Sequence, residues 1–311
     1  MMRAVRIHQY GGTETLTLDQ IDIPTINDDD LLIEVKAASI NPVDWKIREG
    51  YLQEFIPYEL PLTLGWDVAG VVTKVGSAVS DFRVGDEVFS RPNITRDGSY
   101  ADYIAVKADE VVLKSTKLDF AQAASLPLAG ITAWQCLVDV ADIQAGQRVL
   151  IHAGAGGVGH LAIQIAKAKG AFVIATASTA NQALLKELGA DQAIDYTQGA
   201  LQEQIEAVDV VLDTLGGEAQ ENSWTLLKAG GILVSVVEPP SEEKAQQHNV
   251  KAAFVFIEPS RRILKELNKL VEADQLKPLI EHSFSLEQIV DAHLQSQSGR
   301  TRGKIVIDVN A

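Results

Sequence analysis

The segment GAGGVG at residues 154–159 constrains the fold of this chain more than any other feature, because an apolar run precedes it directly and a helical pattern follows it directly. In a turn of this kind the first glycine makes the tight bend, the second lets the backbone approach a pyrophosphate, and the third lets the helix pack on the strand. The helix N-terminus adds free amides and the positive end of its dipole. We therefore predict that the pyrophosphate of a nicotinamide dinucleotide is bound by Gly154, Gly156, Gly157, Val158 and Gly159.

Six apolar runs accompany this turn. They cover residues 148–153, 171–177, 192–196, 208–213, 231–237 and 252–257. Most of them are nearly continuous in apolar residues, as is typical of parallel strands that are buried on both faces. Helical patterns separate them, among them residues 158–169, 181–188 and 218–227. Because crossovers between parallel strands are right-handed, the pattern predicts an α/β fold with a six-stranded doubly wound (Rossmann) parallel sheet.

The first 120 residues follow a different pattern, in which short runs rich in Val and Ile alternate with turns that contain glycine. The runs cover residues 2–7, 31–39, 68–75, 87–89, 100–106 and 111–114. They predict a mostly-β domain, folded as a compact antiparallel sheet or partial barrel. Near the end of the chain we expect helices over 261–273 and 285–294 and a strand over 304–309. We expect residues 1–120, completed by about 275–311, to form this domain and residues 121–274 to form the dinucleotide-binding domain.

Composition excludes several kinds of partner. The 27 Lys and Arg against 42 Asp and Glu give a net charge of −15, which would repel nucleic acid and anionic lipid. Cys136 is the one cysteine, so an intrachain disulfide and a cluster of thiolate metal ligands are both impossible. No apolar run approaches about 18 residues, and the sequence does not open with the apolar segment of a signal peptide. We expect a cytoplasmic protein that acts on a small molecule, without nucleic-acid or membrane partners.

The end of the second strand predicted for the dinucleotide-binding domain bears on which dinucleotide is bound. NAD sites usually carry an Asp or Glu there, which binds the 2′-hydroxyl of the adenosine ribose. This chain has Ser178 and Thr179 instead, and with no carboxylate to repel it a 2′-phosphate could be accepted by these hydroxyls and nearby amides. NADPH is therefore favoured. Residues 178–182 contain no Lys or Arg, so a cationic partner for the phosphate would have to be a distant residue such as Arg300 or Arg302.

Further motifs lie along essentially the whole length of the chain. They are NPVDWK at 41–46, GWDVAG at 65–70, VGDEV at 84–88, GSYADY at 98–103, LPLAG at 126–130 and GKIV at 303–306. Together with the glycine turn they make the chain resemble the zinc-independent medium-chain dehydrogenase/reductases of the quinone oxidoreductase group. The resemblance implies a GroES-like, mostly-β catalytic domain beside the Rossmann domain, NADPH as cofactor, and a homodimer formed through an edge of the cofactor sheet.

Zinc-dependent relatives differ from this chain at their metal positions. They carry a cysteine ligand in the segment matching 41–44, Gly-His-Glu in the segment matching 65–67, and a four-cysteine loop after the segment matching 85–90. Here Trp66 stands at the histidine position, and residues 91–99 form a short segment without cysteine. The resemblance therefore implies that neither zinc site can be built. A zinc alcohol dehydrogenase is an alternative interpretation, and metal analysis of the purified protein would test it.

Within the zinc-free group, the segments at 44–46, 178–179 and 195–197 resemble the enone, alkenal and quinone reductases of plants and bacteria. The resemblance implies that Lys46 lies near the nicotinamide ribose and the substrate carbonyl. It also implies cofactor contacts from Tyr196 near the adenosine phosphate, from Leu215 beside the nicotinamide-side ribose, and from Phe254, Val255 and Phe256 along the nicotinamide. Asn41 is expected either to anchor its loop or to hydrogen-bond the cofactor.

Hydride transfer to a quinone or to an electron-poor C=C bond needs a positive field at the carbonyl oxygen, where negative charge develops. Lys46 could supply this field, and the alternative is an ordinary surface lysine. Trp45, Tyr51 and Phe55 suggest an apolar wall for a conjugated substrate, while His152 is expected to be a satisfied core residue. The predicted function is NADPH-dependent reduction of quinones or α,β-unsaturated carbonyls. A redox sensor or scaffold that binds NADPH without turnover is the alternative.

Overall fold

The computed structural model describes residues 1–310, which form two compact units. The first unit contains Met1–Leu128, Glu258–Glu272 and Pro278–Ala311, and the second contains Ala129–Ile257 and Ala273–Lys277. Among the helices of residues 1–310, none combines the length and the apolar character that a membrane-spanning helix requires.

The helices and strands fall into three successive parts of the chain. The N-terminal part contains β1 (Met2–Ile7), β2 (Leu16–Ile21), β3 (Asp30–Ile40), α1 (Pro42–Arg48), β4 (Leu62–Thr63), β5 (Val68–Val75), β6 (Glu87–Ser90), β7 (Tyr103–Lys107), β8 (Val111–Leu113) and α2 (Phe120–Ala124). The middle part contains α3 (Pro127–Trp134), β9 (Arg148–Ile151), α4 (Gly159–Ala168), β10 (Phe172–Ala177), α5 (Gln182–Glu187), β11 (Gln192–Asp195), β12 (Val208–Asp213), α6 (Gly217–Ser223), β13 (Leu227–Ser235), α7 (Glu242–Gln247) and β14 (Lys251–Phe254). The C-terminal part contains α8 (Arg261–Glu272), β15 (Ile280–Ser285), α9 (Ile289–Gln297) and β16 (Lys304–Asp308).

The second unit is built on one parallel sheet with the strand order β11-β10-β9-β12-β13-β14. Its central strands are fully buried, with Leu150, Ile174 and Val211 all inaccessible to solvent. The order starts in the middle at β9 and reverses direction between β9 and β12, which is the doubly wound arrangement. The six predicted strands and their parallel pairing are therefore confirmed.

The first unit is dominated by β-structure, as predicted. Its larger sheet has the order β15-β16-β3-β5-β6-β8, with β7 also paired to β3, and a smaller sheet has the order β2-β1-β4. The C-terminal strand β16 pairs antiparallel with β3, with Ile305 opposite Ile40. This pairing brings the C-terminal strand beside Asn41, the residue that precedes α1.

The main differences from the predicted elements are at edges and helix ends. Three strands, β2, β4 and β15, were not predicted, because β2 and β15 are partly exposed edge strands of mixed polarity and β4 is only two residues long. Helix α3 has Pro127 in its first turn and continues as a π-helical segment over Gln135–Val140. Near the predicted helix 285–294, Ser285 is the N-cap of a short helical segment that leads into α9, and it forms a capping box with Gln288.

Candidate functional site

The glycine turn of the second unit joins β9 to α4 and is shaped by close packing. A Cβ on Gly154 would lie 2.8 Å from the Leu185 side chain and 2.9 Å from Ala175 Cβ, and a Cβ on Gly159 would overlap the carbonyl oxygen of Ala153. Ala153 has a left-handed φ of 48°. The tight bend that the sequence assigned to Gly154 is therefore made one residue earlier, and Gly154 and Gly159 are needed because the helix packs directly on the strand end.

Gly156 differs from these two glycines. A Cβ added there would meet one atom outside its chain neighbours, the carbonyl oxygen of Ala153, at 3.2 Å. Val158, the N-cap of α4, provides no side-chain hydrogen bond to the helix within residues 1–310. The backbone at Gly156 is thus open on one side, next to a helix N-terminus without a side-chain cap, which is the geometry that close approach of a pyrophosphate requires.

The other predicted cofactor residues lie at the same edge of the sheet as the glycine turn. They directly follow or end parallel strands: Ser178 and Thr179 after β10, Tyr196 after β11, Leu215 after β12, and Phe254, Val255 and Phe256 at and after the end of β14. Several are large side chains left open to solvent, with Tyr196 58% exposed, Leu215 53% and Phe256 53%. Ligands of open α/β sheets bind at this carboxyl edge. The structure therefore brings these predicted residues to one edge, while Asn41 and Lys46 belong to the first unit.

Asp213 shapes this edge, although it was not among the predicted site residues. It ends β12, is fully buried, and accepts hydrogen bonds at Oδ1 from the amides of Leu215 and Gly216, both at 2.9 Å. Its Oδ2 accepts from Gln220 at 3.0 Å and from Ser235 at 2.8 Å. These four hydrogen bonds tie the loop that presents Leu215 to α6 and β13. A carboxylate at the end of an apolar strand and before a Gly-Gly pair could have indicated this role from the sequence.

The expectation that no carboxylate lies near Ser178 and Thr179 is wrong. β10 and β11 are parallel neighbours, and their register pairs Ala177 with Asp195. The Thr179 hydroxyl donates to Asp195 Oδ2 at 2.5 Å. The end of β10 itself carries no carboxylate, whereas Asp195 comes from the adjacent strand β11.

His152 is a core residue, as predicted. It is 2% exposed, with Nε2 2.8 Å from the Ser223 hydroxyl and Nδ1 3.4 Å from the Thr176 hydroxyl. Burial lowers the pKa of its imidazole. The neutral ring therefore supports the packing of β9 and is not placed as an acid or base for the cofactor edge.

The first unit contains a buried polar cluster, which we call the Asn41 cluster. Its members are Asn41, Asp44, Asp67, Tyr100 and Lys304, each no more than 3% exposed. Asn41 donates from Nδ2 to Asp67 Oδ2 at 2.8 Å and accepts from Lys304 Nζ at 2.5 Å. Asp44 Oδ2 accepts from the Tyr100 hydroxyl at 2.5 Å and from the Asn41 amide at 2.7 Å. The cluster joins the start of α1 to β16 and to the residue before β5.

These contacts define what Asn41 does in the fold. It is the N-cap of α1 and forms a capping box with Asp44. Both ends of its side-chain amide are engaged within the cluster. Of the two roles expected for Asn41, the contacts are those of a loop anchor, and a contact with the cofactor stays a prediction.

Burial dominates the electrostatics of the Asn41 cluster. Desolvation raises the pKa of Asp67 and lowers the pKa of Lys304, although the two groups lie 3.5 Å apart and attract each other. Desolvation also raises the pKa of Asp44 to about 7, despite the hydrogen bonds that its Oδ2 accepts. Within residues 1–310 its other oxygen, Oδ1, is buried without a hydrogen-bond partner. A charged Asp44 is therefore destabilising in the fold.

We expect Asp44→Asn to flatten the pH dependence of the melting temperature. A carboxyl whose folded pKa is raised from 3.8 to about 7 contributes stability that is present below the lower value and is lost as the pH rises to the higher one. At about 1.4 kcal/mol per pKa unit, this loss is at most about 4 kcal/mol. Melting curves between about pH 4 and pH 8 should show a decline for the wild type that is much smaller for the variant. Substitution of the exposed Asp22 by Asn is the control. A decline in melting temperature in Asp44→Asn as large as that of the wild type would contradict the expectation.

Lys46 lies in α1 outside the Asn41 cluster, among aromatic side chains. Its ammonium is 5.7 Å from the centre of the Trp45 ring, and Trp45 meets Tyr51 edge to face with the ring centres 6.2 Å apart. Partial burial lowers the pKa of Lys46, and no ion pair neutralises it within residues 1–310. Phe55 is 80% exposed nearby in sequence. Lys46 is therefore a partly desolvated cation beside an aromatic side chain, and its role toward a substrate stays a prediction.

Trp66 fills the position at which zinc-dependent relatives carry a histidine. It is fully buried, its indole Nε1 donates to the carbonyl oxygen of Arg96 at 3.1 Å, and it stacks on Tyr58 with ring centres 6.3 Å apart. Its neighbour Asp67 accepts a hydrogen bond from Asn41 and lies 3.5 Å from the Lys304 ammonium. Within residues 1–310, no three His, Cys, Asp or Glu side chains are grouped so that they could hold a metal ion.

Two family models match the chain. The model described as "Alcohol dehydrogenase GroES-like domain" matches residues 27–116, and the model described as "Zinc-binding dehydrogenase" matches residues 188–307. The first match confirms the predicted GroES-like domain.

Similar proteins cover almost the whole chain. A 2-methylene-furan-3-one reductase of Solanum lycopersicum is 40% identical over 98% of this chain and 79% of its own length. The chloroplastic NADPH-dependent alkenal/one oxidoreductase of Arabidopsis thaliana is 39% identical, with the same 98% and 79% coverage. Among solved structures, the quinone oxidoreductase from Coxiella burnetii has a TM-score of 0.93 at 40% identity, covering 99% of both chains. The Escherichia coli quinone oxidoreductase complexed with NADPH has a TM-score of 0.89 at 28% identity, covering 99% of this chain and 100% of that one.

Proposed function

This chain belongs to the quinone oxidoreductase group of the medium-chain dehydrogenase/reductase family, and we propose that it reduces quinones or the activated C=C bond of α,β-unsaturated carbonyls without zinc. It is accordingly an oxidoreductase that uses NADPH. The observation that carries the proposal is that loops following β9, β10, β11, β12 and β14 present the predicted cofactor residues at the carboxyl edge of one parallel sheet. A cytoplasmic location and a homodimer remain predictions.

The residues at this edge fit a phosphorylated dinucleotide. The open backbone at Gly156 and the N-terminus of α4 would bind the pyrophosphate, and the hydroxyls of Ser178 and Thr179 would contact the 2′-phosphate. The exposed side chains of Leu215 and Phe256 offer apolar surface for the nicotinamide half. Bound NADPH supplies a hydride, so the protein's task is to orient the nicotinamide and to exclude water.

Lys46 is the residue that we propose to act on the substrate. A cation held near the carbonyl oxygen of an enone or quinone stabilises the negative charge that develops there during hydride transfer. Its partial desolvation would strengthen this field relative to that of a lysine in bulk water. The aromatic side chains of Trp45 and Tyr51 beside it suit a planar conjugated acceptor.

Zinc independence is supported by the Asn41 cluster. The Lys304 ammonium donates to Asn41 and lies against Asp67, so the polar atoms at this position already have a buried cation as partner. A divalent metal bound there would be repelled by that ammonium. Trp66, packed against Tyr58, fills the space of a further ligand.

The proposal is tested by following NADPH absorbance with a quinone, an enone and an alkenal, before and after dialysis against a strong zinc chelator. We expect turnover with at least one acceptor, unchanged by the chelator. If NADPH binds but no acceptor of a broad panel is reduced, a redox sensor or scaffold is favoured instead. Chelator-sensitive turnover together with one tightly held zinc per chain would restore the zinc-enzyme interpretation.

We expect Lys46→Met to lower kcat/KM for an enone about tenfold or more, because it removes the cation but keeps most of the apolar stem. Binding of NADPH in the absence of the acceptor should change little. The exposed Lys74→Met carries the same loss of charge and serves as the matched control. If the two variants have the same kcat/KM as the wild type, Lys46 is not part of the catalytic machinery.

A further inference from the structure

Asp195 is held in a defined position at the cofactor edge. It is the last residue of β11, and the strand register places it beside Ala177, the residue before Ser178. Its Oδ2 accepts from the Thr179 hydroxyl at 2.5 Å. Its Oδ1 accepts from the amide of Thr197 at 3.0 Å and from the hydroxyl of Thr197 at 2.7 Å. Three hydrogen bonds therefore fix the carboxylate against one of the two hydroxyls that are predicted to meet the 2′-phosphate.

The charge near these hydroxyls is negative. The hydrogen bonds from Thr179 and Thr197 lower the pKa of Asp195, so the group is ionised at neutral pH. No ion pair to Asp195 is present within residues 1–310. Lys186 is the one basic residue in the sequence from Ser178 to Gln198, and it lies in the last turn of α5, at the far end of that helix from Thr179.

A 2′-phosphate and a 2′-hydroxyl meet this carboxylate differently. A phosphate monoester carries a charge of about −1.5 to −2 at neutral pH, so it is repelled by Asp195 and must also compete for the Thr179 proton. A ribose 2′-hydroxyl is neutral and can donate a hydrogen bond to the same carboxylate. The carboxylate therefore opposes binding of NADPH and does not oppose binding of NADH.

We propose that Asp195 is a specificity-determining residue, which weakens the preference for NADPH over NADH by holding a carboxylate against the Thr179 hydroxyl. The inference rests on the proposed function, because it requires the dinucleotide to bind at this edge. It adds to that function that the chain accepts both reduced dinucleotides, with a preference that a single side chain limits.

The test compares Asp195→Asn with the wild type in equilibrium binding of NADPH and of NADH at low ionic strength. Asparagine keeps the shape and an oxygen that can accept from Thr197, and it removes the charge. We expect the ratio of the Kd for NADH to the Kd for NADPH to rise about fivefold or more, mainly through tighter NADPH binding. The rise should shrink at high salt, because the side chain is partly exposed and its field is screened.

Glu187→Gln is the matched control, since Glu187 is an exposed carboxylate on α5 and its substitution changes the net charge equally. Its Kd ratio should stay within about twofold of the wild type. An unchanged or lower ratio in Asp195→Asn, or an equal rise in Glu187→Gln, would overturn the inference while leaving the proposed function intact. If the folded wild type binds neither dinucleotide, the proposed function itself is wrong.

Discussion

Replacing Gly156 with alanine is expected to weaken NADPH binding about thirtyfold or more while leaving the fold intact, a loss of about 2 kcal/mol of binding free energy. The added Cβ has space in the protein, because the carbonyl oxygen of Ala153 at 3.2 Å is the one atom it would approach closely. On its open side, however, the methyl group would stand where the pyrophosphate must contact the backbone. Equilibrium titration with NADPH measures the effect, and a melting curve checks the fold.

Gly159→Ala separates this binding effect from a structural one. At Gly159 an added Cβ would overlap the carbonyl oxygen of Ala153, so we expect a clear drop in melting temperature. Gly156→Ala should keep a melting temperature near that of the wild type. If Gly156→Ala binds NADPH as tightly as the wild type, the glycine turn is not the pyrophosphate site.

Lys304→Met is expected to destabilise the protein by about 3 to 5 kcal/mol, because it leaves Asp67 buried without its cation. Asp67 is fully buried and would keep the hydrogen bonds from Asn41 and the Leu128 amide, together with the attraction of the buried Arg91 guanidinium. For a domain of this size such a loss lowers the melting temperature by roughly 10 °C. Thermal and urea unfolding of the variant and the wild type measure it.

The double variant Lys304→Met with Asp67→Asn tests the physical cause. Removing the carboxylate charge as well should recover more than half of the lost stability, since the cost lies in the unpaired charge. The stability lost in the single variant Lys304→Met should also increase with pH. The pKa of Asp67 is already raised by burial, so the stability it contributes is present when it is protonated and is lost as the pH rises through its folded pKa. A loss that is the same at about pH 5 and pH 8, and no recovery in the double variant, would contradict this account.

The central strands were predictable from the sequence because burial on both faces requires nearly continuous apolar runs. The predicted strands at 68–75 and 208–213 match β5 and β12 to the residue. The edge strands β2 and β15 lacked this pattern, since one side of each faces solvent and tolerates polar residues. Whether such a segment becomes a strand depends on the neighbour that it pairs with, which no local pattern contains.

The candidate site was predictable only where its residues are close in sequence or follow a strand. The glycine turn and the hydroxyls of Ser178 and Thr179 were predicted in this way, whereas Tyr196, Leu215, Phe254, Val255 and Phe256 were assigned from the resemblance to the family. Asp195 was missed as a neighbour of Thr179 because the contact depends on the register between β10 and β11. Asp213 was missed although Leu215, Gly216 and Gln220 follow it closely in sequence, and its contact with Ser235 depends on the register between β12 and β13.

The sequence by itself determined the parallel sheet and predicted the glycine turn as a dinucleotide site, since both depend on apolar periodicity and on residues a few positions apart. Tertiary structure alone decided which charged groups lie close together and how far they are buried. It placed the Asp195 carboxylate against Thr179, and it enclosed Lys304 with Asp67 and Asn41 although more than 200 residues of sequence separate the lysine from its partners. Electrostatic interactions depend on distance in space and on desolvation, and only the folded chain sets both.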